Sequence, residues 1–417
     1  MGRFLLTMLI LFFVLMFHLW DYQYFDIYTI DYAISYFVIT YFIFRYIHTS
    51  GILSLEVFFN VFGLLYSNFY ISQLISLNQQ ISSNIGFAMF LSHLAILFFN
   101  VSFIIFRFKR NTSAKVVGNK YDLHTQNVLL TFFLILCVAT EIYVIFKQIG
   151  IVTYFEAERG GKALMMSNYS SLTFYKFGIP LVSVVSLYNY LYFKNRYDLI
   201  LFLISFFFAL FNSVLSASRA ELISLFLPIL FLFNYFGKIK ERTVIIIGVM
   251  AVVLFGAWKS LFWGEFKLSY DSEFNTWYEI CDNVLKNPDR KLLYGESYLT
   301  TLYNIVIPFT DSQTFSTWYL ENYEWEVLAR GGGRGFSAVL EAYMNFDVLG
   351  IFFLYCFYGW LIGRLNTNTT FNTFIYLIVM TSLFQFFRSE SYSLWKNMMW
   401  FKIYPLTIIF FISKRIR

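Results

Sequence analysis

Arginine is the chemically conspicuous residue of this sequence. It recurs in three short segments: Ser216-Ala217-Ser218-Arg219-Ala220-Glu221, Arg330-Gly331-Gly332-Gly333-Arg334-Gly335-Phe336-Ser337 and Phe387-Arg388-Ser389-Glu390-Ser391. A guanidinium offers a planar fork of donors that matches phosphate or carboxylate oxygens. The glycines between Arg330 and Arg334 expose backbone N–H groups, and a helix starting at Ser337 adds the positive end of its dipole. Those features together describe a cradle for a diphosphate. On the helix that follows, Ser337, Glu341, Met344 and Asn345 share one face, so a carboxylate lies one turn below the cradle, where a general base could stand. Each segment also has a plainer reading. Arg219 could snorkel to headgroups or pair with Glu221, and the Gly/Arg run could be a flexible loop. Ser337 could be a helix cap with Glu341 in its first turn, and Arg388 with Glu390 a surface pair.

The elements that must position these residues are membrane helices. The 417 residues are 59% hydrophobic, 23% aromatic and 13% charged, with mean hydropathy +0.61. A soluble surface needs about a quarter of its residues charged. Apolar runs long enough to cross hydrocarbon recur throughout, and they are apolar all round, which disfavours a β-barrel. The sequence predicts an all-α polytopic membrane protein with about twelve spans, at 4–20, 29–47, 52–77, 85–106, 128–149, 174–193, 199–215, 220–236, 243–263, 337–362, 371–387 and 397–412. The third is long enough to tilt or project. The whole chain reads as one membrane domain, residues 1–417, and the first run as a retained helix rather than a cleaved signal.

Charge sets the expected orientation. Arg45, Arg107, Lys109, Arg110, Lys194, Arg196, Lys238, Arg242 and Arg364 fall in the even-numbered connections, and Lys414, Arg415 and Arg417 in the tail. By the positive-inside rule both termini face the cytoplasm of a bacterial cell. Residues 107–127 become a basic cytoplasmic loop, and 150–173 and 264–336 become outward, periplasmic loops. The last, long loop is expected to hold short helices packed over the membrane mouth. The outward Trp258, Trp263, Trp277, Trp318, Trp325, Tyr294, Tyr298 and Tyr303 could stack on sugar rings or form an interfacial belt. All three arginine segments lie at the outward edge.

Soluble-enzyme signatures are missing: no Walker loop, no GxGxxG after a strand, no HExxH. Cys137, Cys281 and Cys356 have neither paired nor metal-like spacing, and His18, His48, His93 and His124 make no metal site. Neither cofactor nor metal is expected, nor nucleic acid as a partner. A lipid-linked phosphate or diphosphate is the natural ligand.

Four stretches resemble the bacterial oligosaccharide repeat-unit (O-antigen) polymerases of the Wzy type: SASRAELISLFLPILF, YGESYLTTLYNIVIP, GGGRGFSAVLEAYMNFDVLGIFFLYCFYGWLIG and FFRSESYSLWKN. They run from about residue 212 to 400. The resemblance implies a GT-C-like fold of the branch shared with O-antigen ligases, undecaprenyl-diphosphate-linked donor and acceptor, and metal-independent glycosyl transfer at the periplasmic face of the inner membrane. It also implies a chain-length-determining co-polymerase in the same membrane. By that resemblance Arg219, Arg334 and Arg388 stabilise the departing diphosphate, Glu341 activates the acceptor hydroxyl or orients an arginine, and Tyr343 and Asn345 belong to the same motif. Arg330, Glu221, Tyr298 and Ser337 are expected to line the substrate site. The base is open between Glu341, Glu221, Glu390 and Asp311. Where the family often has Asn-Phe-Gly, this chain has Asn345-Phe346-Asp347. An O-antigen ligase and, in another class, a transporter or flippase of lipid-linked sugars are the competing readings; the ligase branch is associated with an outward histidine that has no secure counterpart here.

Overall fold

Asp26 opens the first long helix. Its side chain accepts from Thr29 N while Thr29 reaches back to the Asp26 backbone, so a reciprocal capping box fixes the entry of α1, Ile27–Ser50. The computed structural model describes residues 22–107, 122–150, 177–215, 219–248, 275–287, 293–307, 314–329, 336–383 and 385–415, with isolated positions in the first twenty and at 152–153 and 250. After α1 come α2 Leu55–Ser76, α3 Ser83–Phe106, α4 Leu123–Tyr143 with a π-helical extension Val144–Ile149, α5 Ile179–Phe193, α6 Arg196–Leu215 and α7 Arg219–Tyr235. Four short helices follow: α8 Thr276–Lys286, α9 Glu296–Val306, α10 Phe315–Tyr323 and α11 Trp325–Ala329. The chain closes with α12 Ala338–Arg364, α13 Thr370–Ser382, α14 Gln385–Arg388, α15 Ser391–Met398 running through a π-helical segment Met399–Ile403 into α16 Tyr404–Arg415.

Every described element is helical in the places where the sequence predicts spans. Five helices, Ile27–Ser50, Ser83–Phe106, Leu123–Ile149, Arg196–Ser213 and Ala338–Arg364, are long and apolar enough to cross a membrane, and Ile179–Phe193, Glu221–Tyr235 and Thr370–Ser382 are shorter apolar helices. Most of the first and ninth expected spans lies outside the described residues, as does most of the loops at 107–127 and 150–173. The 264–336 segment holds α8 to α11. Of these, α8 is clamped onto the membrane helices: Trp277 Nε1 donates to Tyr66 O, Tyr278 OH to Ser67 O, and Asn84 Nδ2 to Asp282 Oδ1.

Paired contacts give the helix directions. Tyr343 meets Phe87 and Phe352 meets Phe98, so α12 runs parallel to α3. Asp31 meets His93 and Tyr46 meets Phe103, so α1 is parallel to both. Asn60 pairs with Asn100 and Asn68 with His93, which makes α2 antiparallel. Phe231 meets Tyr376, and Tyr188 touches both Phe236 and Phe374, so α7 and α13 are antiparallel. The starts of α3, α7 and α12 and the end of α13 therefore share one end of the bundle.

The closest packing is between α12 and α3. Gly359 and Gly363 lie four apart on α12, and a β-carbon at Gly359 would overlap the Phe99 carbonyl oxygen. Small residues at that spacing let two membrane helices approach backbone to backbone, where packing rather than water expulsion drives association. Ser102 Oγ donates to Cys356 O across the same seam, 2.6 Å.

One interruption shapes the site. Within α12, Phe346 (φ −144°, ψ 26°) and Asp347 (φ 57°, ψ −146°) leave the helical region, and a β-carbon on Gly350 would overlap the Ala342 carbonyl. The Asp347 backbone sits in a region that glycine enters freely and other residues enter at a cost on the order of 1–3 kcal/mol. Asp347→Gly is expected to stabilise the protein by about 1 kcal/mol, read as a melting point raised by a few degrees in thermal unfolding of the purified protein. Gly359→Val should do the reverse and drastically so, because the clash is with backbone; Gly248→Ala, which meets open space, is the neutral control.

Candidate functional site

Glu341 begins the site because of where its carboxylate is. It lies one turn inside α12, whose N-cap is Ser337: Ser337 Oγ accepts from Leu340 N at 3.4 Å. The Glu341 residue is 0% exposed. A buried carboxylate must be hydrogen-bonded to persist, and this one is held from two sides. Ser297 Oγ donates to Oε1 at 2.8 Å, and Ser391 N donates to Oε2 at 2.6 Å. Ser297 is in the first turn of α9, and Ser391 N is the leading amide of α15. The carboxylate thus caps α15 from another helix, with the dipole of α15 in its favour.

Asn345, one turn further along α12, completes the knot. Its Nδ2 donates to Ser297 Oγ (2.8 Å) and to Glu341 O (2.7 Å), and its Oδ1 accepts from Gly295 N (3.0 Å). Leu293 N donates to Met344 O at 2.9 Å. The turn before α9 needs Gly295 for two reasons: its φ is +90°, and a β-carbon would press to 2.7 Å from the Phe346 ring. Three segments far apart in sequence, at 293–297, 337–346 and 388–391, are locked together through Glu341 and Asn345.

Arg388 ends α14 within this knot, three residues before Ser391, and is half-buried. Between them sits Glu390, which is 3% exposed. Its Oε2 accepts from Ser316 N (2.7 Å) and its Oε1 from Ser393 Oγ (3.2 Å), so it fastens the start of α10 to the arginine turn. Burial, and then the neighbouring Glu341 carboxylate, pushes the Glu390 carboxyl up to about 7.

The remaining expected site residues fall as follows. Arg219 is the first residue of α7, at the end of the bundle that carries Arg388, and Glu221 stands half-buried on the next positions of that helix. Arg330 and Arg334, like Asp311, lie outside the described residues; Phe336, which follows them, is buried against Phe315 and Tyr319. Tyr343 points away from the Glu341 knot and packs edge-on against Phe87 of α3. Tyr298 stacks on Phe346, and its hydroxyl oxygen is buried with no hydrogen-bond partner. Ser337 uses its hydroxyl as the helix cap.

Residues 290–417 match the family model described as O-antigen polysaccharide polymerase Wzy. The match covers a little under a third of the chain and is a likeness to that family. The match takes in the Glu341–Asn345 helix, the Ser297 turn and the Arg388–Ser391 turn, which are the three parts the knot joins. No curated protein and no solved structure matches the chain.

Two polar clusters escaped sequence reasoning. His93 bonds Asp31 Oδ2 through Nδ1 (2.8 Å) and Asn68 Oδ1 through Nε2 (2.7 Å), inside apolar helices and beside a cavity of about 230 Å3 lined by Ile34, Ser35, Phe42, Phe90 and Leu97. Lys402 is buried in the last π-helical segment. The signal available for both was an ionisable residue inside an apolar run.

The Glu390 carboxyl gives a pH prediction. Its value in the fold, about 7, is above the ordinary 4.5, so folding disfavours its ionised form. The stability it contributes is complete below about pH 4.5 and is lost as pH rises through about 7. Glu390→Gln retains an acceptor for Ser316 N and removes the titration. Its melting point relative to the parent protein should climb between pH 5 and pH 8, by an amount corresponding to at most about 3 kcal/mol. A constant difference across that range would show that Glu390 does not titrate there.

Proposed function

We propose that this protein is a Wzy-type O-antigen polymerase that joins undecaprenyl-diphosphate-linked repeat units at the periplasmic face of the inner membrane, without a metal, with Arg219, Arg334 and Arg388 bearing on the carrier diphosphate and Arg330 beside them; the family likeness over 290–417 supports the reading. The observation that carries the reading is the Glu341 carboxylate, whose two hydrogen bonds fix the arginine-bearing turn against the rest of the matched segment. In the transfer, a hydroxyl at the non-reducing end of the acceptor unit attacks the anomeric carbon of the growing chain. The bond from that carbon to the diphosphate oxygen breaks, the diphosphate leaves with its electron pair, and the hydroxyl proton passes to a base. Guanidinium forks oppose the charge that grows on the leaving oxygens, in a setting poor in competing water.

Four acids could take the proton: Glu341, Glu221, Glu390 and Asp311. Both Glu341 oxygens and both Glu390 oxygens accept hydrogen bonds from within the protein. In this reading they are positioning residues: Glu341 orients the Arg388 turn and Glu390 ties α10 to it. Glu221, two residues from Arg219 at the same end of the bundle, is the acid this reading puts forward to take the proton, with Asp311 as the alternative. Tyr298, Ser337, Tyr343 and Asn345 shape the walls behind the sugar site rather than contacting the diphosphate.

The helix directions support the wider topology, a GT-C-like arrangement of about twelve spans with 264–336 and 150–173 on the periplasmic side and 107–127 in the cytoplasm. The parallel and antiparallel relations of α1, α2, α3, α7, α12 and α13 are those that path requires. At the end away from Glu341, Arg107 donates to Ser50 Oγ (2.7 Å) and Arg364 lies over the Phe106 ring, and a basic end belongs in the cytoplasm. A chain-length-determining co-polymerase is the protein partner this reading supplies.

In a strain lacking the gene, restored copies carrying Arg219→Ala or Arg388→Ala should insert normally yet leave a surface glycan of single repeat units, whereas the unaltered gene restores the ladder. Normal chain lengths in either variant at matched expression would overturn the diphosphate clamp. Glu341→Gln keeps one acceptor and loses the other. It should reduce polymerisation at least about tenfold and raise protease cleavage in 388–391, since a charged hydrogen bond is worth about 1.5–3 kcal/mol. Long lipid-linked chains accumulating without transfer to the core in the deletion strain would instead indicate the ligase.

A further inference from the structure

Lys402 carries a charge that the mechanism above leaves unused. It sits in the π-helical segment Met399–Ile403 and is 7% exposed. Its Nζ donates to Thr381 Oγ1 at 2.7 Å and to Ser382 Oγ at 3.1 Å. Both partners are neutral, and among the described residues no carboxylate stands within ion-pair reach of it. An ammonium has three protons to give, so one remains after the two hydroxyls are served. Hydroxyls orient a cation without cancelling its charge, and a buried cation in a membrane protein is costly unless it faces a partner or a cavity.

The ordinary escape for such a lysine is to stretch its apolar stem toward the headgroups. Lys414, exposed near the end of α16, is placed for that. Lys402 instead turns sideways into the protein, to the last two residues of α13. That helix has 13 residues and is about 20 Å long, short of the roughly 30 Å of hydrocarbon. Leu383, the short α14 and Ser389–Glu390 then connect it to α15, so the connection is recessed. Irregular backbone at such depth is tolerated where it is enclosed by protein or lines a polar cavity, and broken helices there commonly hold ligands. Arg388 lies on that same recessed connection. The local geometry of the lysine points the same way: a π-helical turn shifts the side-chain register, and such turns cluster at functional sites.

We propose that Lys402 is a substrate-binding residue whose ammonium, aimed by Thr381 and Ser382 at the recessed turn between α13 and α15, contacts a phosphate oxygen of the lipid-linked substrate. The proposal rests on the polymerase reading and adds a second kind of contact to it, a point charge beside the guanidinium forks. A compact ammonium suits the deeper position because it can serve one phosphate oxygen from a narrow approach, whereas the planar fork needs two.

The test is binding of undecaprenyl diphosphate, with the neutral alcohol undecaprenol as reference, to the purified full-length protein in nanodiscs. Unaltered protein should prefer the diphosphate. Lys402→Met should weaken diphosphate binding roughly tenfold or more and leave undecaprenol binding unchanged, while Lys402→Arg retains most of the preference. If Lys402→Met does not fold, the Thr381→Val, Ser382→Ala double variant takes its place. Weaker diphosphate binding then supports the proposal, and unchanged binding overturns it. A folded Lys402→Met that binds the diphosphate as tightly as unaltered protein also overturns it and leaves the polymerase reading standing. Unaltered protein that binds diphosphate no better than undecaprenol sinks the polymerase reading itself.

Discussion

The carboxylate of Glu341 has no water to fall back on, and the arrangement around it follows from that. Each of its oxygens must find a donor inside the protein, and the two donors come from elements that are otherwise distant, the Ser297 hydroxyl on α9 and the Ser391 amide at the head of α15. A hydrogen bond between a charged acceptor and a backbone amide is among the stronger ones available. Removing it would strand a buried carboxylate and an uncapped helix together. The consequence is a rigid junction at the place where the arginine turn leaves α14. Positioning of that kind matters to a transfer enzyme, because a displacement of about 1 Å at the reacting groups can cost two orders of magnitude in rate.

Membrane packing provides the frame on which the junction hangs. Lipid supplies no hydrophobic drive for helices to associate, so the long contact between α3 and α12 depends on close approach, and Gly359 and Gly363 make it possible. The parallel course of those helices brings the start of α12, with Glu341 and Asn345, level with the start of α3. The break at Phe346–Asp347 then lets the first two turns of α12 lean independently of the seam below. The upper part of α12 follows the hydrogen-bond knot, and the lower part follows the glycine seam. Asp347 absorbs the difference in a backbone conformation that suits glycine better.

Much of this was legible in the residues. Apolar runs marked the helices, because a span needs length and little else. Helical spacing placed Glu341, Met344 and Asn345 on one face, and Glu341 and Asn345 do act from one face on the same turn at Gly295 and Ser297. What the spacing could not give was the identity of their partners, which lie 44 to 50 residues away across a segment with no periodic signal. The apolar pattern also hid the break after Ser382, because a run that is apolar throughout reads the same whether its helix is continuous or stops short. For the same reason Lys402, and Asp31 with His93, passed as isolated polar residues; only tertiary contact reveals that each is held by named partners.

The two buried acids and the buried lysine differ in a way that bears on function. Glu341 and Glu390 each have both oxygens engaged by donors from the protein. Every one of those oxygens is therefore engaged within the protein. Lys402 has two acceptors, both uncharged, for three protons. Its coordination is incomplete in number and its charge is unmatched. In a solvent that cannot supply the missing acceptor, a counter-charge brought by another molecule favours the charged form. The contrast between acids bonded at every oxygen and a lysine held only by two hydroxyls is what sets Lys402 apart from Glu341 and Glu390.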